Sequence, residues 1–306
     1  MAEAAQRVTT PRLFAGRLAR PAFLPAFLLA LPPLLALAAF GAAPLLLIVV
    51  WSFCTFDPAT YWIKPDFTLV NYLGALSPDR TPVLVRTAGL ALLTAAISTA
   101  IAVPAASALC LFARSRLRAL LLALFTIPFF TSGLVRAFAW RLVLGRDGII
   151  NQALLALGLI HAPLEWLLFS DLAVVVGMVA ADLPFAIVPI VLAYAGIEAS
   201  VLRASEDLGA GFWTTFRRVV APLILPGVVS GFLFVFVVAI GVSSEVQLLG
   251  GAGVSSISIM INDVMRVVNF PLAFAIATLV VVMLFLALLL AERRLGLSKL
   301  LSELGA

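Results

Sequence analysis

Long apolar segments alternate with shorter polar connectors along nearly the whole of this 306-residue chain. A helix needs about 20 apolar residues to cross about 30 Å of bilayer hydrocarbon. The segments that meet this length are approximately 24–51, 84–112, 119–142, 171–195, 219–242 and 271–291. The pattern therefore predicts an all-α integral membrane protein with six transmembrane helices.

Composition supports this prediction, because 63% of the residues are hydrophobic and only 11% are charged. Soluble domains have about 45–50% apolar and about 25% charged residues. Arginines precede the first apolar segment, as they do in a signal peptide, but this segment is far longer than the roughly 7–15 residues of a signal-peptide hydrophobic region. We interpret it as an uncleaved first span.

Basic residues predict the orientation of the chain. The N-terminus, the connectors 113–118 and 196–218, and the C-terminal tail together hold 13 of the 20 Lys and Arg residues. These four regions lie on one side of a six-span chain, and Lys and Arg are enriched on cytoplasmic flanks. We therefore expect a cytoplasmic N-terminal segment (1–21), a membrane domain (22–291) and a cytoplasmic tail (292–306).

Helix-breaking and small residues recur inside the predicted spans. The prolines are Pro104, Pro128, Pro184, Pro189, Pro222 and Pro226. Proline removes a helix hydrogen bond, which membrane proteins tolerate where neighbouring helices or a cavity satisfy the freed carbonyl. Kinks that take part in gating and kinks that are only tolerated both fit the pattern. Gly227 and Gly231 have GxxxG spacing, which fits packing within one subunit or contact between two.

Motifs of common enzymes are absent from the sequence. It has no GxxxxGK[ST] phosphate loop, no GxSxG turn and no HExxH helix. Its single histidine, His161, and its two separated cysteines, Cys54 and Cys110, do not form a usual zinc site. The sequence thus gives little support to a membrane-embedded enzyme and predicts neither a metal site nor a cofactor in this chain.

Residues 198–222 form a long mixed polar and apolar stretch between two predicted spans. The first part predicts a short helix that ends near Asp207, and Gly209 then permits a sharp turn. A second amphipathic helix follows, with Phe212, Phe216 and Val219 on one side at helical spacing. Helix, turn and helix on the cytoplasmic face form a knob that another protein can bind.

This stretch resembles the EAA loop of the permease subunits of ABC importers, whose pattern is E-A-A-x3-G-x9-I-x-L-P. Aligned on Gly209, Arg203 stands where the family has glutamate. The residues predicted to couple to an ATPase are Arg203, Ala204, Ser205, Asp207, Gly209, Phe212, Phe216, Val219 and Pro222. The resemblance implies that the loop binds a cleft in a cytoplasmic ATPase, and Arg203 puts in question any contact made by the usual glutamate.

The segments 129–151, 182–194, 246–251 and 67–72 resemble the spermidine/putrescine-type branch of these permeases. That resemblance implies the type I importer fold in a bacterial inner membrane and a polyamine as the transported solute. It also implies two cytoplasmic ATPase subunits that carry ATP and Mg²⁺, a second homologous permease in a heterodimer, and a periplasmic binding protein. Membrane lipid is an expected contact, and nucleic acid is not.

Alternative functions remain open at this point. The same mechanism could serve another cargo, such as an opine, an aminophosphonate or an amino-acid derivative. An ion-coupled secondary transporter would account for buried charges, but it gives the 198–222 stretch no role. Transport that persists without any ATPase would favour it.

Ionisable residues at membrane depth are costly and often functional. Arg136 lies in the third predicted span, Asp182 lies in the fourth, and Glu245 follows the fifth. For a cationic polyamine, the two carboxylates would offset substrate charge while Trp140 offers a cation–π face. The alternative, which we favour from sequence, is that Arg136 pairs with Asp182 to neutralise two buried charges.

Overall fold

A computed structural model describes residues 31–112 and 114–295 of the chain. These residues divide into two units after Val50. The predicted segment 1–21 and residues 296–306 of the predicted tail lie outside the described residues. Within the first unit, the helix that begins at Leu31 contains a wider, π-type turn over Leu37–Ala42.

Helices account for most of the described residues. They are α1 (Leu31–Ser52), α2 (Val70–Ala75), α3 (Thr81–Leu111), α4 (Ser115–Thr126), α5 (Gly133–Leu144), α6 (Ile149–Ala156), α7 (Asp171–Ala195), α8 (Ala199–Asp207), α9 (Phe212–Ile240), α10 (Ser244–Leu249), α11 (Ile257–Arg266) and α12 (Phe270–Leu295). Short 3₁₀ segments cover Ile127–Phe130, Glu165–Leu167 and Gly251–Gly253.

Within the described residues, five helices are long and apolar enough to cross a membrane: α1, α3, α7, α9 and α12. The predicted third span, 119–142, differs from the structure, which has α4 and α5 with Ile127–Phe130 between them. This segment contains a proline, which cannot donate to the helix ladder. Ser132 then has a non-helical backbone, with a ψ of 137°, before α5 begins. The apolar composition thus continues across a segment in which the α-helix is interrupted.

The core of the second unit is built around α7, which packs against both α3 and α9. Alanines line much of this contact and let the helix backbones come close. Those fully buried include Ala95, Ala102 and Ala106 of α3 and Ala186 of α7. Further apolar residues of α2, α11 and α12 form a separate cluster around Ile257 and Ile276.

The GxxxG pair packs inside the subunit. A Cβ atom on Gly227 would lie 2.6 Å from the carbonyl oxygen of Pro189, and one on Gly231 would lie 2.8 Å from that of Ala186. Both residues therefore allow α9 to contact the backbone of α7. Of the two interpretations left open by the sequence, the structure supports packing within one chain.

Prolines lie inside helices that continue past them. Those so placed are Pro104 in α3, Pro184 and Pro189 in α7, and Pro222 and Pro226 in α9. Pro189 contributes the carbonyl oxygen that Gly227 approaches. Pro184 and Pro226 are buried, so with Pro189 they lie in the packed contact between α7 and α9, whereas Pro222 is exposed.

A short antiparallel hairpin follows α1, with strands β1 (Thr55–Asp57) and β2 (Trp62–Lys64). The Asp57 carboxylate accepts hydrogen bonds of 3.0 Å from the Ala59 N–H and the Thr60 hydroxyl. It also forms an ion pair of 3.4 Å with Lys64. The Ala59 hydrogen bond, followed by that of Thr60, lowers the pKa of the Asp57 carboxyl. The interactions of Asp57 within the turn thus stabilise the hairpin.

Candidate functional site

Helix α8 ends in a Schellman turn at Gly209, which has a φ of +77°. The Gly209 N–H donates to the carbonyl of Glu206 at 2.8 Å, and the Ala210 N–H donates to that of Ser205 at 3.0 Å. This pair of bonds satisfies carbonyls that a helix end otherwise leaves free. The predicted short helix and glycine turn are confirmed.

Ser205 connects the two helices of the loop. It is only 8% exposed, and its Oγ lies 2.8 Å from Oγ1 of Thr215. The same hydroxyl donates to the carbonyl of Leu202 at 3.0 Å. The end of α8 and the beginning of α9 are thereby held together by side chains as well as by the turn.

We expect Ser205→Ala to lower the free energy of unfolding by about 1 kcal/mol, because the partly buried Thr215 hydroxyl loses its partner. Thermal unfolding of the purified protein in detergent would measure this. Ser200→Ala is the matched control, since Ser200 is exposed on the same helix and bonds only Glu198 among the described residues. Equal unfolding temperatures for the two variants would contradict the role of Ser205.

The second loop helix differs from its prediction, because it is not separate from the next span. Helix α9 is continuous from Phe212 to Ile240 and contains a π-type turn over Phe216–Val220. In this turn the Ala221 N–H donates to the carbonyl of Phe216, five residues earlier. Pro222 has no N–H to give, and the wider turn adapts the hydrogen-bond ladder just before it. The loop is thus a direct extension of a membrane helix.

Aromatic side chains pack the loop against the end of α3. The Phe212 ring lies 5.9 Å from that of Phe112 and 6.3 Å from that of Phe216, measured between centroids. A cavity of about 300 Å³ opens beside these rings, with Leu202 and Val220 in its wall. The Phe212 and Phe216 side chains therefore position the beginning of α9, in line with their shared face in the sequence.

The remaining predicted loop residues are mostly at the surface. Ala204, Asp207 and Pro222 are exposed, whereas Val219 is half-buried. Arg203 is exposed too, and its Nε donates to the carbonyl of Ala199 at 3.3 Å. Within the part of the chain that the structure describes, Arg203 forms no ion pair. Its charge therefore faces outward.

A second group of predicted residues meets where α10 packs against α5 and α7. Arg136 of α5 forms an ion pair with Glu245 of α10, with 3.9 Å between Nη2 and Oε1. The Ser244 hydroxyl donates to the other carboxylate oxygen at 2.6 Å. The Glu245 side chain is only 4% exposed. Both of its oxygens thus have a partner although the side chain is buried.

Two glycines make room for this arrangement. A Cβ on Gly177 of α7 would lie 2.5 Å from Cδ1 of Leu249 and 3.5 Å from Cγ of Glu245. A Cβ on Gly133 of α5 would lie 3.0 Å from Oγ of Ser244. Helix α10 can therefore lie closely against both α7 and α5.

Asp182 of α7 is only 3% exposed, and its Oδ2 has no hydrogen-bond partner among the described residues. Glu245 and Arg136 lie near enough to act on it electrostatically. The ion pair that the structure gives Arg136 is with Glu245, and Asp182 forms none within the described residues. The predicted pairing of Arg136 with Asp182 therefore needs correction, because the Gly177 contact brings a competing carboxylate to the guanidinium.

Trp140 and Arg141 have other surroundings. Trp140 is partly buried and packs against the core cluster that contains Leu90 and Leu144. The Arg141 guanidinium lies over the Phe169 ring, 5.3 Å from its centroid. The cation–π contact found here is thus between two side chains of the protein.

Residues 98–295 match the family described as the binding-protein-dependent transport system inner membrane component. The chain belongs to this family. It is therefore a permease component of an ABC importer and a multi-pass inner-membrane protein.

Alignments of this permease with individual relatives cover more residues than the family match does. It is 34% identical over 231 residues to the spermidine/putrescine transport system permease protein PotB of Escherichia coli K12, covering 76% of this chain and 82% of PotB. It is 32% identical over 283 residues to the inner membrane ABC transporter permease protein YdcU of the same organism, covering 88% of this chain and 89% of YdcU. The family resemblance found in the sequence is confirmed.

A solved structure shares the permease fold. It is a bacterial alginate ABC transporter crystallised with a periplasmic protein that holds an alginate pentasaccharide. The TM-score is 0.70 at 17% identity, over 89% of this chain and 95% of that one. At this identity the similarity shows the fold alone.

Sequence reasoning about this permease missed several residues. Leu208 is 88% exposed and Trp213 is 70% exposed, so the loop presents two large apolar side chains beside its turn. The sequence feature that could have identified them is the position of these two large apolar residues among charged ones. Ser98, which is fully buried in α3 with an unbonded hydroxyl, gave none, because a serine in a membrane helix most often bonds its own backbone.

The described residues contain no group of three or more His, Cys, Asp or Glu side chains that could hold a metal ion. Cys54 is buried and Cys110 is half-buried.

Proposed function

We propose that this permease passes a polyamine, such as spermidine or putrescine, from a periplasmic binding protein to the cytoplasm. The observation that carries this proposal is the 34% identity to PotB over 76% of the chain. The permease would work with a second, homologous permease and with two cytoplasmic ATPases that hold ATP and Mg²⁺. An opine, an aminophosphonate or an amino-acid derivative is the alternative cargo.

The proposed topology has six spans with both termini in the cytoplasm. Five helices have the length and composition of spans, and α4 with α5 would make the sixth crossing. The 13 Lys and Arg residues of the termini and two connectors then fall on the cytoplasmic side. In this topology the cytoplasmic N-terminal segment is 1–21, the membrane domain is 22–291 and the cytoplasmic tail is 292–306.

The loop from Glu198 to Pro222 would transmit ATPase closure to the membrane. Its exposed face carries Leu208 and Trp213, two apolar side chains suited to a cleft in another protein. Its second helix is the beginning of α9, so a force on the loop acts directly on a span. Arg203 would meet a different partner from the glutamate found in the family pattern.

The proposed pathway passes the buried carboxyl groups of Asp182 and Glu245 and the partly buried Arg136, with Trp140 one helical turn after Arg136 on α5. In their ionised forms, the two carboxylates and the one guanidinium carry one net negative charge. A cationic amine is the type of solute that would offset it, whereas an anionic solute would not. The charge balance therefore favours a polyamine over the alternative cargoes with an acidic group.

The proposal is tested with the whole complex in liposomes. We expect binding protein loaded with spermidine or putrescine to stimulate ATP hydrolysis and to drive uptake, with no need for an ion gradient. Binding protein loaded with octopine or 2-aminoethylphosphonate serves as the comparison. Stimulation by either of these and not by a polyamine would change the cargo. Uptake that continues without the ATPase subunits would favour an ion-coupled transporter.

A further inference from the structure

Asp182 lies near the middle of helix α7, which runs from Asp171 to Ala195. At a rise of about 1.5 Å per residue, it lies about 16 Å from the start of a helix that crosses about 30 Å of hydrocarbon. A carboxylate at that depth is costly unless something compensates its charge. Its partners within the protein therefore decide whether Asp182 is a structural residue or part of a site.

The ion pair next to Asp182 is complete without it. Glu245 has the Arg136 guanidinium on one oxygen and the Ser244 hydroxyl on the other. Of the described residues, the charged groups that act on Asp182 are Glu245 and Arg136. The charges of the Arg136–Glu245 pair sum to zero, so an ionised Asp182 gives these three side chains one net negative charge.

Contacts between α3 and α7 show what faces Asp182. The Thr94 hydroxyl lies 3.9 Å from the Met178 sulfur, and Ser107 Oγ lies 2.6 Å from the Tyr194 hydroxyl. From the first contact to the second, the residue number increases in both helices, so α3 and α7 run parallel. One turn beyond Thr94 is Ser98, and one turn beyond Met178 is Asp182. Ser98 and Asp182 therefore lie at about the same level along the neighbouring helices α3 and α7.

The Ser98 hydroxyl is unbonded although Ser98 is fully buried, and the hydroxyl of the adjacent Thr99 is unbonded as well. Other hydroxyls of the same helix bond the carbonyl four residues earlier, as Thr87 does with Val83 and Ser107 does with Val103. A buried polar atom without a partner is rare in native structures. Asp182 Oδ2 and the Ser98 hydroxyl are two such atoms at one level.

We infer that Asp182 and Ser98 form an ammonium subsite at the middle of the membrane, one that accepts a primary amino group of the cargo. A primary ammonium has three N–H donors and one positive charge. The Asp182 carboxylate and the Ser98 oxygen offer acceptors, and the spare negative charge matches that of the ligand. Arg136 is a positioning residue here, since its ion pair is with Glu245 and leaves Asp182 without one among the described residues. The inference rests on the proposed polyamine cargo.

The test uses the complete complex in liposomes with putrescine-loaded binding protein, and it measures putrescine imported per ATP hydrolysed. Asp182→Asn keeps the shape of the side chain and removes its charge. We expect import per ATP to fall about tenfold or more, because the ammonium loses a charged acceptor. Asp171→Asn is the matched control. It makes the same change at the start of the same helix, in an exposed ion pair with Arg86, and should leave this ratio unchanged.

A second pair of variants separates a subsite from structural charge balance. Glu245→Gln frees Arg136 to pair with Asp182, so import per ATP should fall as it does in Asp182→Asn. Adding Arg136→Gln to Glu245→Gln removes the pair as a unit and restores the single negative charge, so import should recover. If Asp182 only balances charge, the double variant leaves it with no cation at all and should assemble less well than Glu245→Gln.

The outcomes are distinguishable. A wild-type complex that imports neither putrescine nor spermidine overturns the proposed cargo and the subsite together. Polyamine import by the wild type with an unchanged ratio in Asp182→Asn overturns the subsite alone. If Asp182→Asn does not assemble, the comparison of Glu245→Gln with the double variant decides, and recovery in the double variant supports the subsite.

Discussion

Gly227→Ala is expected to destabilise the permease by about 3 kcal/mol, near the upper end of the usual cost of overpacking. The added Cβ would lie 2.6 Å from both the Pro189 carbonyl oxygen and the Ala193 Cβ, and 3.2 Å from the Ile190 Cα. Two of these atoms belong to the backbone of α7, which cannot rotate away as a side chain can. Helices α7 and α9 would have to separate along the most closely packed contact of the molecule.

The measurement is the temperature at which half of the detergent-solubilised permease loses its monodisperse state. Gly89→Ala is the control, because Gly89 lies within α3 and a Cβ there meets no atom within 4 Å. It should be neutral or stabilising by up to about 1 kcal/mol, since alanine favours a helix. Equal unfolding temperatures for the two variants would show that the α7–α9 contact does not limit stability.

How far the sequence could predict this fold depends on where the signal lies. The fourth predicted span agrees with the bounds Asp171–Ala195 because local residues end the helix at both sides. Ser170 accepts a hydrogen bond from the Ala173 N–H at 3.1 Å, and Gly196 follows the last turn. The third span was harder, because the apolar composition of 119–142 continues through Ile127–Phe130, where the helix ends.

The candidate sites also contain features that the local sequence determines and features that depend on the folded molecule. The turn at Gly209 was predictable, since a left-handed residue after a short helix is a local property of the chain. The partner of Arg136 was not, because Glu245 and Asp182 are both distant in sequence and both acidic. The close contact of α10 with Gly177 decides between them, and such a contact exists only in the folded molecule. The open hydroxyl of Ser98 likewise depends on which side of α3 meets α7.

Gly209→Val is expected to weaken the coupling between the permease and its proposed ATPases. At a φ of +77°, a residue with a side chain costs about 1–2 kcal/mol, and a β-branched one costs more. Each 1.4 kcal/mol lowers the equilibrium constant between the native turn and its alternatives about tenfold. Loss of this turn moves Leu208 and Trp213, the exposed side chains that the proposed ATPase cleft would receive. Binding-protein-stimulated ATP hydrolysis and co-purification of the ATPases should both fall.

Two control variants separate this backbone effect from simple loss of a small residue. Gly209→Asn should retain most of the coupling, because asparagine tolerates the left-handed region better than other residues. Gly211→Ala should be close to wild type, since Gly211 has a φ of −72° and a Cβ there meets no atom within 4 Å. Full coupling in Gly209→Val would contradict the loop's proposed role, because a knob that binds a cleft cannot keep its fit after its turn opens. If all three variants lost coupling equally, the conformation of Gly209 would not be the cause. The partner would then require small side chains along 209–211.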